Sequence, residues 1–249
     1  MTEYIVTFHS GSGIGSALLG ILGGLFYLER NKINSILYVN QIHASTPVNC
    51  FIDYFLDKEK ISCLHFINEE KTNYQELFFT KETDTIYHDC LNSSNFKNLV
   101  LLFNKIFILK KEYDIKHYDI CINIRRGDKI IIEPHIPYAK IENYIKTIQN
   151  YNLINPTIFH TSDEYDSFLE IKQQYPNIET LTDPEEKGYF LSELNKKPVG
   201  DLYDHVNKFM NQLNIMKHST FFIGTNSSTV GFLVKLLRNV IEDNSNIYL

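Results

Sequence analysis

The sequence predicts an α/β protein built from two parallel-sheet halves, and three observations lead there. Short β-type apolar runs alternate with helix-length segments along most of the chain, the order that builds parallel sheets with helices on both faces. The chain opens with a strand, a glycine-rich turn and a helix. Near its end Phe221-Phe222-Ile223 runs through a small polar turn, Gly224 to Ser228, into another helix. At 249 residues and 29.1 kDa the chain is long enough for two cores of about 120 residues each. The boundary falls after residue 114, giving a short N-terminal half, 1–114, and a C-terminal half, 115–249.

In order, Tyr4 to Phe8 reads as a strand, His9 to Gly15 as a turn and Ser16 to Arg30 as a helix. Ile36 to Val39 is the next strand. Ser45-Thr46-Pro47 starts a helix reaching Leu56, with proline in the first turn where its missing N–H costs nothing. Cys63 to Ile67 is a third strand, and the polar stretch Asn68 to Asn92 reads as irregular. Phe96 to Lys111 carries Leu99, Leu102, Phe103, Ile106 and Leu109 at helical spacing. The second half continues with strand Tyr118–Ile124, helix Tyr138–Asn150, strand Thr157–His160, helix Glu164–Tyr175 and strand Ile178–Leu181. After a loop, Thr182 to Pro198, come helix Leu202–Met216, strand Thr220–Ile223 and helix Ser228–Ile241.

Bulk properties narrow the function classes. A formal charge of −6 and a pI near 5.8 argue against general nucleic-acid binding, because one strongly basic face would need a still more acidic remainder. One basic pocket for a small anion remains possible. Cys50, Cys63, Cys90 and Cys121 show no metal-ligand spacing, so they read as reduced residues of a cytoplasmic protein. The longest apolar stretch, Ile14 to Leu28, is too short to span a bilayer comfortably and follows a strand and a glycine turn, and Glu3 stands where a signal peptide would be basic. A soluble protein without an anchor is expected. His135, His160, His205 and His218 form no metal grouping, and Asp163 reads as a helix N-cap.

Chemistry concentrates where arginine does. Only four arginines occur against twenty lysines, and two stand together in Ile122-Asn123-Ile124-Arg125-Arg126-Gly127-Asp128-Lys129. A guanidinium fork holds phosphate or carboxylate by two parallel hydrogen bonds, which lysine does not. The pair closes an apolar run, so a buried strand would deliver it at a carboxyl end, where open α/β sheets bind ligands. The alternative is a loop pair between Arg126 and Asp128 that stabilises the turn.

Two helix-opening turns compete for the anion. Gly11, Gly13 and Ser16 approximate a dinucleotide fingerprint, but serine replaces its third glycine and Asn40-Gln41 offers no acid for a ribose. The turn Gly11-Ser12-Gly13 is then either a tight βα connection or a backbone approach to a ligand phosphate from across a cleft. The turn Gly224-Thr225-Asn226-Ser227-Ser228-Thr229 presents orphan N–H groups and hydroxyls to any anion at the helix start, or is a plain N-cap by Ser227 or Ser228.

Asn123 to Lys129 resembles the His-x-Arg-Arg-x-Asp motif of the fucosyltransferases, and Lys129 with Glu133 is similar to the Lys and Glu that follow it in the α1,6-fucosyltransferase and nodulation-factor fucosyltransferase group. Phe222 to Val230 resembles that group's late Gly/Cys-Thr-x-Ser-Ser-x-Val segment. The resemblance covers most of Tyr118 to Val240, and in the first half only the glycine turn. It implies a GT-B-like fold, two Rossmann-type parallel-sheet domains facing a cleft. The activity it implies is inverting, metal-independent transfer from a GDP-sugar, GDP-fucose in this family, to a glycan hydroxyl, with no cofactor and no nucleic-acid partner.

The resemblance also implies roles. Arg125 would clamp the diphosphate and Arg126 shape the site, while Thr225, Ser227, Ser228 and Thr229 would meet phosphate. Glu133 maps onto the general base, Lys129 onto the cation beside the phosphates, and Asp128 would orient the loop. Two positions depart from the pattern. Asn123 replaces the histidine that contacts the nucleotide, and Gln212 falls where the family has an acid that reads guanine. Another nucleotide-sugar, or a catalytically silent module that binds nucleotide-sugar or glycan, therefore stays open.

Overall fold

The computed structural model describes residues 3–7, 14–40, 56–57, 63–67, 74–78, 95–109, 116–126, 138–188, 196, 198–225, 228–240 and 245–249. The chain forms two compact units, Met1–Lys110 with Leu191–Val206 and Lys111–Phe190 with Asn207–Leu249. Residues 191–206 thus group with the first unit, whereas the sequence reading placed all of 115–249 in the second half. A helix, Val199–His218, begins in this stretch, and its 20 residues span about 30 Å.

In the first unit, β1 (Glu3–Thr7), α1 (Ile14–Arg30), β2 (Leu37–Asn40), β3 (Leu64–Ile67) and β4 (Tyr74–Phe78) build a sheet of order β3-β2-β1-β4. Every pairing is parallel. α1 is apolar all round and is buried accordingly, with only Ser16, Tyr27, Glu29 and Arg30 partly or fully exposed. No helix among the described residues is long and apolar enough to cross a membrane. α2 (Asn95–Ile106) buries Phe96, Leu99, Val100, Phe103 and Ile106, the stripe expected of an amphipathic helix. It stops short of Lys111 because Phe107 leaves the helix to pair antiparallel with Leu56. The rest of the expected Ser45–Leu56 helix lies outside the described residues. β4 falls in the stretch read as irregular. As an edge strand it needs only one neighbour, and its five residues pair with Glu3 to Thr7 although Gln75 and Glu76 break its apolar pattern.

In the second unit, β5 (Ile120–Ile124), α3 (Ile141–Asn150), β6 (Ile158–Ser162), α4 (Tyr165–Lys172), β7 (Glu179–Thr180), α5 (Val199–His218, from residue 207), β8 (Phe221–Gly224), α6 (Thr229–Arg238) and β9 (Asn246–Tyr248) follow in order. The sheet order is β7-β6-β5-β8-β9, again wholly parallel. The α/β class with parallel sheets is borne out in both units. β5 is central and buried along its whole length, which explains a sequence that is apolar at every position but Asn123. Ile120, Ile122 and Ile124 join Ile141, Tyr144, Ile145 and Ile148 of α3, and Phe168 and Ile171 of α4, in one core. Cys121 is fully buried in β5, which pushes its thiol pKa up and keeps it protonated, as a core cysteine should be.

Edges and ends of this sheet are held by polar contacts. Two-residue β7 is fastened by Glu179, which accepts from Tyr118 at 2.7 Å and pairs with Lys116. Lys116, then Tyr118, draw the Glu179 carboxyl below its usual range. β9 was not expected from the sequence; it is three residues long and pairs with Phe222 to Gly224. α6 ends at Asn239, whose left-handed conformation (φ 59°) supplies a C-cap before the expected Ile241. Next to that cap, Arg238 donates to the carbonyls of Met216 (2.9 Å), Lys217 (3.2 Å), Ser219 (2.7 Å) and Thr220 (3.0 Å), and to Asn246 Oδ1.

His160 of β6 is fully buried. Ser167 donates to the Glu164 carbonyl at 2.8 Å, so its oxygen is left to accept from His160 Nε2–H at 3.0 Å. Burial, then the nearby Arg126, push the imidazole pKa down to about 3. The neutral form is therefore the folded form. Its stabilisation is complete above the unfolded pKa of about 6.5 and is lost as pH falls from there towards 3. Between pH 7 and pH 5 this one site should cost about 2 kcal/mol of unfolding free energy. Urea titrations of wild type and His160→Gln at both pH values check this, the variant showing the smaller loss.

Candidate functional site

The order β7-β6-β5-β8-β9 makes the chain step to one side of β5 first and to the other side later. The switch point lies between β5 and β8, and the crevice beyond their carboxyl ends is where such sheets bind ligands. Arg125 and Arg126 leave β5 there. Gly224 and Thr225 leave β8, and α6 begins at Thr229 under an N-cap by Ser228, whose Oγ accepts from Val230 N–H at 3.2 Å. Arginines and helix start therefore stand on the two sides of one switch point, within a single unit.

The register between β5 and β6 ends with Ile124 opposite Ser162, so the next pair outward is Arg125 and Asp163. Arg125 Nη1 donates to Asp163 Oδ2, and the other carboxylate oxygen accepts from the backbone N–H of Arg126 at 2.9 Å. Both side chains are largely buried, 18% and 11% exposed. The Arg126 guanidinium lies 3.9 Å from Glu164 and 4.0 Å from Glu170. Asp163 is not the helix cap expected from the sequence. The N-cap residue of α4 is Glu164, with no side-chain cap bond, because the Asp163 carboxylate is spent on a guanidinium and a turn N–H, a stronger use of a charge.

Behind the arginines runs a buried polar chain. Asn123 Nδ2 donates to Thr161 Oγ1 at 2.8 Å, and Thr161 donates to the Ile122 carbonyl at 3.1 Å. Among the described residues the buried Asn123 Oδ1 meets no hydrogen-bond partner. Thr225, 2% exposed, donates to the Asn123 carbonyl at 3.3 Å. Its oxygen then accepts from Tyr144 at 2.9 Å. Burial raises the Tyr144 pKa, so the phenol keeps its proton for that bond. The Thr225 hydroxyl is thus pinned between α3 and β5. An anion reaching this turn would meet the N-terminal N–H groups of α6 rather than this hydroxyl.

Two glycines bring α6 onto the strand end. A Cβ on Gly224 would lie 2.5 Å from the Phe222 ring, and one on Gly231 would lie 2.4 Å from the Thr225 carbonyl oxygen. The second contact is with backbone, which cannot swing aside. Gly231→Ala should cost about 1–3 kcal/mol through overpacking and move the helix start away from Thr225. A urea titration measures the first effect, and amide hydrogen exchange at the start of α6 reports the second.

Of the residues singled out in the sequence, Asn123, Arg125, Arg126, Thr225, Ser228 and Thr229 come together at the two strand ends. Gln212 sits partly buried in α5, and none of the hydrogen bonds around Asn123 and Thr225 involves it. Gly11, Ser12, Gly13, Asp128, Lys129, Glu133 and Ser227 lie outside the described residues. Asp163, Tyr144, Thr161 and Gly231 are additions. Asp163 had a detectable signal, since it follows the β6 run as Arg125 follows β5. Tyr144 reads only as a core position of an amphipathic helix. Among the described residues no group of three or more His, Cys, Asp or Glu could hold a metal ion.

No family model matches the sequence, and no curated protein matches it. Among solved structures the chain is similar to the fucosyltransferase NodZ from Bradyrhizobium, at 10% identity over 95% of this chain and 94% of that one, with a TM-score of 0.57. A NodZ α1,6-fucosyltransferase co-crystallised with GDP is 12% identical over 95% and 93% of the two chains, TM-score 0.55. A mutant of Arabidopsis thaliana FUT1 in complex with GDP is 13% identical over 96% of this chain and 70% of that one, TM-score 0.50. Two wholly parallel sheets, covered by helices and following the course of these enzymes over nearly the whole chain, give the protein the GT-B-like α/β fold of the fucosyltransferases.

Proposed function

We propose that the protein is an inverting, metal-independent glycosyltransferase that moves a sugar from a nucleotide donor to a glycan hydroxyl, with GDP-fucose as the favoured donor. One observation carries this reading: a largely buried arginine and the start of a ten-residue helix flank the switch point of a Rossmann-ordered sheet. That arrangement suits a diphosphate, which needs a fixed fork of donors and orphan N–H groups. The solved relatives of this fold include NodZ soaked with GDP-fucose, which supports the choice of donor.

In this reading the bond from sugar C1 to the β-phosphate oxygen breaks as the acceptor oxygen attacks from the opposite face of the sugar. Negative charge grows on the departing GDP, so a preorganised guanidinium at Arg125 holds the transition state more strongly than the ground state. Lys129 would add a second cation beside the phosphates. Glu133 would remove the acceptor proton, for which it must come within about 3 Å of the hydroxyl. Arg126, held towards Glu164 and Glu170, would shape the turn, Asp128 would orient it, and Gly11, Ser12 and Gly13 would approach the donor phosphates by backbone.

A second reading has its own support. Asn123 and Gln212 stand where the resembling family has a nucleotide-contacting histidine and a guanine-reading acid, and an amide copies an acid's acceptor pattern only in part. Another nucleotide-sugar is then the donor, or the site binds without turnover. Release of GDP from GDP-fucose in excess EDTA, with a panel of glycan acceptors, separates these. Acceptor-dependent release supports the first reading. Release only from UDP- or dTDP-sugars moves the donor, and binding without release from any of them leaves a silent module.

A further inference from the structure

We propose that Asp163 is a positioning residue of this site: it aims the Arg125 guanidinium across the carboxyl end of β5 and fixes the backbone at Arg126. The inference rests on the reading of Arg125 as the diphosphate clamp. An arginine side chain has several rotatable bonds, so a guanidinium that must meet a phosphate in one orientation needs a fixed partner. Asp163 is that partner, and it is itself held. Its Oδ2 takes Arg125 Nη1 while Oδ1 accepts the Arg126 N–H at 2.9 Å, so the carboxylate cannot rotate without breaking one of the two bonds.

The backbone beneath Asp163 is equally constrained. Ser162 N–H donates to Thr182 Oγ1 at 3.3 Å, Thr182 Oγ1 donates to the Ser162 carbonyl at 3.1 Å, and Glu164 N–H donates to Ser162 Oγ at 3.1 Å. On the next turn Tyr165 N–H reaches the Glu186 carbonyl at 2.9 Å, and Lys208 pairs with Glu186 at 2.7 Å. The acids also sort the two adjacent arginines. Glu164 and Glu170 draw the Arg126 guanidinium towards α4, while Asp163 bonds the Arg125 side chain. A buried ion pair is a weak source of stability, and a carboxylate beside a diphosphate site repels the ligand. Both points fit a group kept for orientation.

The test compares Asp163→Asn, Asp163→Glu, Arg125→Ala and the double variant Asp163→Asn with Arg125→Ala, by GDP-sugar turnover and by melting. Asparagine keeps an acceptor for the Arg126 N–H but loses the ion pair; glutamate keeps the charge and shifts its oxygens by one methylene. Each single Asp163 variant should lower kcat by about 10²-fold, the scale of a 1 Å misplacement, with KM for the donor little changed. The double variant should be no slower than Arg125→Ala. Should Asp163→Asn not fold, the glutamate variant carries the kcat test. Unchanged kcat in the variant that folds overturns the inference, as does multiplication of the two losses in the double variant. Wild-type turnover by Arg125→Ala overturns the clamp reading itself, and this inference with it.

Discussion

Arg125→Ala is expected to reduce sugar transfer by about 10²- to 10³-fold, equivalent to about 3–4 kcal/mol of transition-state stabilisation. The loss should appear in kcat, because charge on the leaving diphosphate develops only as the bond breaks. Alanine also leaves the Asp163 carboxylate largely buried with the Arg126 N–H as its remaining contact within the turn, so part of any defect could come from the fold. Arg125→Lys separates the two effects. Lysine restores a positive charge near Asp163 but not the planar fork. It should recover most of the melting temperature and little of the rate. Recovery of both by lysine would show that charge alone, without bidentate geometry, is enough at this position.

The largest expected effect on stability lies at Arg238. Its guanidinium serves the last carbonyls of α5, Met216 and Lys217, the link at Ser219 and Thr220, and Asn246 of β9. The carbonyls at a helix end have no partner within their own helix, so one side chain closes α5, fixes the entry to β8 and ties down the edge strand. Hydrogen bonds to a charged group contribute about 1.5–3 kcal/mol each, and they are not additive when they share one donor group. A net loss of about 3–5 kcal/mol is expected for Arg238→Ala. Urea denaturation measures it, and a change below about 1 kcal/mol would mean that water replaces the guanidinium at these carbonyls.

Strand ends were more legible than strand order. The apolar run into Arg125 and the turn after Ile223 are local patterns, and both mark real carboxyl ends of parallel strands. Their common site depends on β5 and β8 being neighbours, which is a pairing across about a hundred residues and leaves no local trace. Asp163 was misread for the same reason. An aspartate just ahead of a helix serves equally well as a cap or as an ion-pair partner, and only the adjacency of β5 and β6 decides between them. β4 and β9 escaped notice because edge strands need neither length nor two apolar faces. Gly231 lies inside a helix, where glycine reads as a weakness. Its reason is the Thr225 carbonyl from the strand end, which the sequence does not place beside it.

On our proposal, Arg125 and the start of α6 form a nucleotide-sugar diphosphate site. This is tested most directly by thermal shift with GDP, UDP, ADP and their sugar conjugates, with and without Mg²⁺ and EDTA, on wild type and Arg125→Lys. Stabilisation by GDP and GDP-fucose above the other nucleotides, unaffected by EDTA and lost in the lysine variant, is the predicted result. Equal stabilisation of wild type and variant, or none by any nucleotide, would contradict the claim and leave the Arg125 and Asp163 pair as a structural clasp between β5 and β6.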